Sequence, residues 1–315
     1  YVASPRHSAL LCLLRIPIGP VQQRIDHEHR IVDPGVVGGT AGRCHRSIVV
    51  TVAPVQVPNP RIGGARTVDR VIDELRSLLH GRRTAVLTGA GISTDSGIPD
   101  YRSPSAPPRN PMTYQQFVGD PVFRRRYWAR NHLGWRHMDA ARPNAGHRAL
   151  AALERRGTVL GVITQNVDLL HTKAGSRRVV DLHGTYAQVR CLDCGHRISR
   201  FTLADMLTAA NPGFVEKVHA TTGLEVAPDA DAVVANTGEF RLVDCVRCGG
   251  MLKPDIVYFG EFVPRDRSER ADALVDDAGA LLVAGSSLAV QSGLRLVRRA
   301  TASGKPVVIV NRGRT

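Results

Sequence analysis

Short apolar runs, each closing on small or polar residues, recur between residues 68 and 310. Val68, Val71, Ile72, Leu75, Leu78 and Leu79 return at steps of three and four, the period of one helical face. The apolar run at 85–87 then predicts a buried parallel strand that breaks into Gly89-Ala90-Gly91. After Pro143 a helix is predicted over 146–153, a buried strand over 159–164 and a third strand over 179–182. Residues 253–261 read as another buried strand and its turn, 280–284 as a fifth, 294–302 as a helix and 306–310 as the last strand. Strands alternating with helices point to an α/β fold built on a doubly wound parallel sheet.

The intervening segments are of other kinds. Residues 103–112 hold four prolines and are expected to form a loop, placed to act as a lid beside the glycine turn. Residues 114–138, with Phe117, Phe123, Tyr127, Trp128 and Trp135, predict a small helical module. Residues 1–66 show no sustained period and do not begin with Met, and are read as an extension outside the domain, with 48–57 able to add a strand. Their arginine-rich, initially acid-free start is similar to a mitochondrial presequence.

Composition narrows the function. The 315 residues are 43% hydrophobic and 22% charged, a globular balance. The net charge is +14, but 38 of the 42 basic residues are arginines scattered along the chain, so the concentrated stripe of a nucleic-acid binder is missing and nucleic acid is not expected as a partner. No apolar run reaches the 18 or so residues of a membrane span, and no membrane partner is expected. Four of the six cysteines form two Cys-x-x-Cys pairs, Cys191/Cys194 and Cys245/Cys248, 50 residues apart. Such pairs suit one tetrahedral, structural Zn²⁺ in a reducing compartment.

The polar residues fall where strands end. Gly89, Gly91 and Gly97 give G-x-G-x5-G, a loose relative of the dinucleotide fingerprint, with Arg109 standing about 20 residues on in place of an acid. A glycine turn that feeds a helix binds pyrophosphate through free N–H groups, and Ser93 or Thr94 is expected to cap that helix. Gln165, Asn166 and Asp168 follow the second strand, His183 the third, and Gly285-Ser286-Ser287 a later one. Taken singly, His183 reads as a structural histidine and Asn166 or Asp168 as a turn residue. Taken together they converge on the crevice at the carboxyl ends of a parallel sheet.

Six motifs in order carry a resemblance: Gly97-Ile-Pro-Asp-Tyr-Arg102, Thr164-Gln-Asn-Val-Asp-Leu-Leu-His171, Leu182-His-Gly184, the Cys pairs, residues 253–261 and Gly285-Ser-Ser-Leu288. Over residues 68–315 the chain resembles the sirtuins, NAD-dependent protein deacylases with a Rossmann-like domain and a smaller zinc-binding domain. Arg126-Tyr-Trp-Ala-Arg-Asn131 and His171-Thr-Lys-Ala-Gly-Ser-Arg177 look most like the class II branch, which includes the human mitochondrial sirtuin 4. The resemblance implies a catalytic domain over 67–315, with Rossmann-like parts at 67–112, 147–186 and 250–315, the helical module at 113–146 and the zinc domain at 187–249.

It also implies a reaction. NAD⁺ releases nicotinamide as the carbonyl oxygen of an acyl-lysine attacks its ribose, and the acyl group ends on ADP-ribose. His183 would be the general base, with Asn166 and Asp168 at the ribose and Asp100 near the nicotinamide amide. Gly89, Ala90, Gly91, Thr94, Arg102, Gln165, Gly285, Ser286 and Ser287 would surround the rest of the cofactor, with Asn311, Arg312 and Gly313 toward the adenosine and Tyr101 over the reacting face. An acyl-peptide would add as a strand along Val257, Phe259, Gly260 and Glu261 on one side and Leu288 on the other. Zinc would be structural, at Cys191, Cys194, Cys245 and Cys248. The family runs on past the position of Thr315 through a segment that completes the adenine pocket. Alternatives are mono-ADP-ribosyl transfer or lipoamidase-type activity from the same chemistry, and an NAD-responsive binding protein of weak activity. The expected protein is a monomer acting on acyl-lysine proteins, cytoplasmic in a bacterium or in the mitochondrial matrix of a eukaryote.

Overall fold

The computed structural model describes residues 48–51 (as backbone), 73, 75–100, 111–219 and 237–311. Two sheets organise these residues. The larger has six strands, β1 (Ile48–Thr51), β2 (Thr84–Thr88), β3 (Val159–Thr164), β4 (Val179–Asp181), β8 (Ala280–Ala284) and β9 (Val307–Asn311), in the order β1-β9-β8-β2-β3-β4. Every neighbouring pair in it is parallel. β1 lies within the stretch expected to add a strand, so part of what precedes residue 66 belongs to the sheet.

Burial explains why β2, β3, β8 and β9 read as unbroken apolar runs, since every residue in them is buried. Alternate side chains feed two cores. Ala85, Leu87, Leu281, Val283, Val307 and Ile309 pack against Ala271, Leu274 and Val275 of α7 (Arg265–Asp277) and Leu296 and Ala300 of α8 (Gln291–Ala302). Val86, Leu282, Val308 and Val310 face the other way, onto Leu75 and onto Leu150 of α3 (Ala145–Arg155). A sheet covered on both faces leaves only its strand ends open to a ligand. Residues 75–79 are helical, in the register expected from Leu75, Leu78 and Leu79; Val68, Val71 and Ile72 lie outside the described residues.

The smaller sheet is antiparallel, in the order β6-β5-β7, with β5 (Gly184–Cys191), β6 (Arg197–Ser199) and β7 (Leu252–Ile256). β7 corrects the sequence reading, which placed it in the parallel alternation. All five of its residues are buried, as in the parallel strands. A fully buried strand carries no mark of which sheet it joins. Around this sheet pack α1 (Tyr114–Gly119), α2 (Pro121–Ala140) and α5 (Arg200–Ala210), through Phe117, Tyr127, Trp128, Leu203 and Leu207. The rings of Phe117 and Tyr127 meet edge to face at 5.5 Å, so the expected helical module is an aromatic-cored one. The remaining helices are α4 (Leu170–Lys173) and α6 (Phe214–His219).

His183 stands where the two sheets meet, after β4 and immediately before β5. Gly184 makes that junction. Its φ is +80°, and a Cβ there would collide with Asp255 O of β7, so only glycine lets the chain pass from one sheet to the other. No helix among the described residues is long and apolar enough to cross a membrane.

Candidate active site

The ends of β2 and β8 form one double turn. Gly91 N donates to Gly285 O at 2.9 Å and Gly89 N to Ala284 O at 3.3 Å. A Cβ on Gly89 would lie 2.9 Å from Gly285 O, and Gly285, at φ +64°, would drive a Cβ into Ile92 N. The turn does not open an α-helix. Residues 90–92 and 94–96 form two short 3₁₀ turns, and Ser93 makes no side-chain cap. Thr94 Oγ1 donates to Gly91 O at 3.1 Å, within the turn itself. The expected helix cap is therefore corrected: the buried Ser93 hydroxyl is used by the next strand end instead.

That strand end is Gln165-Asn166-Val167-Asp168. Asp168 is 3% exposed, and its Oδ2 accepts from Ser93 Oγ at 2.6 Å while its Oδ1 accepts from Leu170 N at 2.9 Å. Burial pushes the carboxyl pKa up, and the Ser93 bond pulls it back most among the opposing effects. Asn166 Nδ2 donates to Gly89 O and to Ser93 Oγ, both at 3.0 Å. Gln165 Nε2 donates to Ser286 Oγ at 2.8 Å and lies 3.3 Å from Thr88 O. One network thus joins the ends of β2, β3 and β8, bringing Gly89, Gly91, Gln165, Asn166, Asp168, Gly285 and Ser286 together.

His183 closes the crevice. Its Nδ1 lies 2.9 Å from Gln165 O and its Nε2 2.7 Å from Ser292 Oγ. A carbonyl oxygen only accepts, so Nδ1 carries the hydrogen and Nε2 presents the lone pair. Burial lowers the imidazole pKa below 6.5, the Gln165 bond opposes this, and Arg267 adds to the lowering. The two contacts fix the ring's orientation and its tautomer. His183 O also accepts from Val257 N at 2.8 Å, which ties His183 to the segment after β7.

That segment is anchored from beneath. Lys253, 1% exposed, forms a 2.9 Å ion pair with Glu261, and Glu261 Oε2 also takes Tyr258 N at 2.9 Å. Tyr114 N donates to Phe259 O at 2.9 Å. Phe259 itself is 45% exposed and Val257 half-buried, while Leu288, at φ +54°, is buried. Ala90, Asp100 and Ser287 are half-buried and Asn311 is buried at the end of β9. Tyr101, Arg102, Arg312 and Gly313 lie outside the described residues.

The four cysteines converge at one end of the small sheet, with sulfurs all within 4.8 Å of one another. Cys191 and Cys248 stand 3.5 Å apart, Cys194 and Cys245 3.8 Å. A Zn–S bond of about 2.3 Å puts the corners of a tetrahedron about 3.8 Å apart, so the donors fit one closed Zn²⁺ site. The two halves match: Gly195 N donates to Cys191 O at 3.1 Å and Gly249 N to Cys245 O at 2.8 Å.

Sequence reasoning missed two site residues. Ser93 was read only as a cap, and nothing in the local pattern sets Ser292 apart from other serines early in helices; both are identified by partners 75 and 109 residues away.

The Sir2 family model matches residues 89–292. NAD-dependent protein deacetylase 1 of Mycobacterium avium is 69% identical over 242 residues, 77% of this chain and 86% of that one. NAD-dependent protein deacylase SIR4 of Batrachochytrium dendrobatidis is 43% identical over 278 residues, 82% of this chain and 90% of that one. Among solved structures, a Sir2–p53 peptide–NAD⁺ complex shares 33% identity at a TM-score of 0.58, across 78% of this chain and 88% of that one. Sir2 bound to acetylated peptide gives 32% and 0.57, across 78% and 87%.

Proposed function

The chain belongs to the Sir2 family, and we propose that its crevice removes acyl groups from lysines of protein substrates at the expense of NAD⁺. The observation that carries this reading is His183, a half-buried imidazole whose Nδ1–H is committed to Gln165 O and whose Nε2 is left basic, on the same network of strand ends as Asn166 and Asp168.

The residues present fit a dinucleotide. The backbones at Gly89 and Gly91 approach Gly285 too closely for any Cβ between them, and a buried carboxylate stands next to an amide and a serine hydroxyl. NAD⁺, when bound, supplies an electrophilic ribose carbon with nicotinamide as the leaving group. Asp168 and Asn166 would hold the ribose hydroxyls, one as acceptor and the other with its amide. Gly89, Ala90, Gly91, Thr94, Gly285, Ser286 and Ser287 would line the phosphates, joined by Arg102, and Asn311, Arg312 and Gly313 the adenosine. Asp100 and Tyr101 would stand toward the nicotinamide. His183 Nε2 would take a proton from a ribose hydroxyl, and its lowered pKa keeps it unprotonated at neutral pH. The acyl-peptide would run beside Val257, Phe259 and Gly260, with Leu288 opposite and Glu261 turned inward to Lys253.

A panel of acyl-lysine peptides incubated with NAD⁺ tests the reading. Nicotinamide and free lysine should appear together, and His183→Ala should lower turnover by about 10²- to 10⁴-fold. Equal turnover in the variant overturns His183 as the base.

A further inference from the structure

Both ring nitrogens of His183 are held, and the holder of Nε2 differs in kind from the holder of Nδ1. Gln165 O is fixed in the backbone and only accepts. Ser292 Oγ, 2.7 Å from Nε2, belongs to a hydroxyl, which donates in one rotamer and accepts in another. A carbonyl or carboxylate at this place would require a hydrogen on Nε2 and abolish the base. An amide N–H would occupy the lone pair and oppose protonation. A hydroxyl alone serves both states of the ring.

The hydroxyl is firmly placed. Ser292 lies in the first turn of α8, whose N-cap, Val290, makes no side-chain cap. The next residue, Gly293, packs so tightly that a Cβ there would lie 2.7 Å from Gln165 Oε1. Gln165 is the residue whose carbonyl holds Nδ1, and its amide is tied to Ser286 Oγ. Both partners of the imidazole are therefore parts of one rigid network.

The charges around the ring oppose its protonation. Arg267 of α7 acts on it, and although Arg267 is paired with Asp255 at 2.8 Å, its net effect still lowers the imidazole pKa. Asp181 also faces Arg267, and burial pushes its carboxyl up to about 6. The N-terminus of α8 presents positive dipole to the same ring. An imidazolium formed here needs an acceptor at Nε2.

We propose that Ser292 is a positioning residue for His183, donating to Nε2 while the ring is neutral and accepting from Nε2–H once the ring has taken its proton. This rests on the deacylase reading for the source of the proton. In the transfer, the substrate O–H bond breaks, its electron pair stays on oxygen and an Nε2–H bond forms. Because Ser292 Oγ occupies the one in-plane lone pair of Nε2, the proton passes through that hydroxyl: Ser292 takes the substrate's proton as it gives its own to Nε2, and it ends with one hydroxyl hydrogen, as it began.

Histidine-selective ¹⁵N labelling of the ligand-free protein tests this directly, with the His183 signals identified by their loss in His183→Gln. The wild type should show a pyridine-like Nε2 and a protonated Nδ1. Ser292→Ala, a good helix former in a helical turn, should keep the fold. It removes an acceptor from the charged ring, where hydrogen bonds are stronger than on the neutral one, so the His183 pKa should fall by about half to one unit, and Ser292→Thr should restore it. In turnover assays the acid limb of kcat/KM should move by the same amount, with KM for NAD⁺ unchanged. An unshifted His183 titration in Ser292→Ala overturns the proposal, whatever the enzyme turns over. The NMR shift without any deacylation upholds the Ser292–His183 pairing and overturns the deacylase reading instead.

Discussion

Ser93 Oγ donates a 2.6 Å hydrogen bond to Asp168 Oδ2 and accepts another, at 3.0 Å, from Asn166 Nδ2. One buried hydroxyl therefore ties the glycine turn after β2 to the polar end of β3. The 3₁₀ path of residues 90–96 brings it there; an α-helix capped by Ser93 would have spent the same oxygen on a backbone N–H.

Removing that hydroxyl should act on chemistry and on its pH dependence. Ser93→Ala leaves the Asp168 carboxylate buried without its shortest partner, and kcat/KM should fall about 10- to 100-fold at neutral pH. The Ser93 bond lowers the Asp168 pKa against the rise caused by burial, so its loss raises the pKa further. In the proposed reaction Asp168 would accept a ribose hydroxyl as a carboxylate, so the deficit should deepen as pH falls. A variant that keeps the wild-type profile from pH 5.5 to 8.5 would show that Ser93 has no part in the site.

The Lys253–Glu261 pair makes a separate prediction about stability. Lys253 is 1% exposed, with Tyr258 and Tyr114 rings 4.8 and 5.9 Å from its Nζ. Lys253→Met would leave Glu261 with only the longer 3.8 Å contact to Arg190 and the Tyr258 N–H, so it should cost up to about 3–5 kcal/mol in urea unfolding. Lys253→Met/Glu261→Leu should cost less than the sum of the single changes. Strict additivity would mean that the pair is not coupled.

Metal removal should separate the two sheets. Cys191 ends β5, the strand that starts directly after His183, and Leu192 N donates to Met251 O just before β7. Stripping zinc with a chelator should therefore expose the amides of β5, β6 and β7 to hydrogen exchange, while β2, β3 and β8 stay protected. Turnover should drop with the small sheet, because β5 and Val257 N hold His183. The purified protein should carry one zinc per chain, and Cys194→Ser should lose it. Exchange that spreads equally into the parallel sheet would refute the division.

Much of the molecule was legible before any coordinates. The strands predicted at 85–87, 159–164, 179–182, 280–284 and 306–310 are present in the parallel sheet within a residue or two, because a strand covered on both faces must be apolar throughout and must end where the polar residues begin. The Cys-x-x-Cys pairs revealed the metal site by spacing alone, since thiolates at that interval share one turn. Gln165, Asn166, Asp168 and His183 stand out in the sequence by their place after strands, and the structure brings them onto one network. What tertiary structure alone decided is pairing. The run at 252–256 is equally buried in either sheet, and only contact with β5 makes it antiparallel. Ser93 carries only the local signal of a helix cap and Ser292 none that sets it apart, for the distant partner of a hydroxyl leaves no mark in the residues beside it. Hydrogen bonds spanning 75 and 109 residues are set when the strand ends converge, and periodicity along a chain cannot encode which ends will meet.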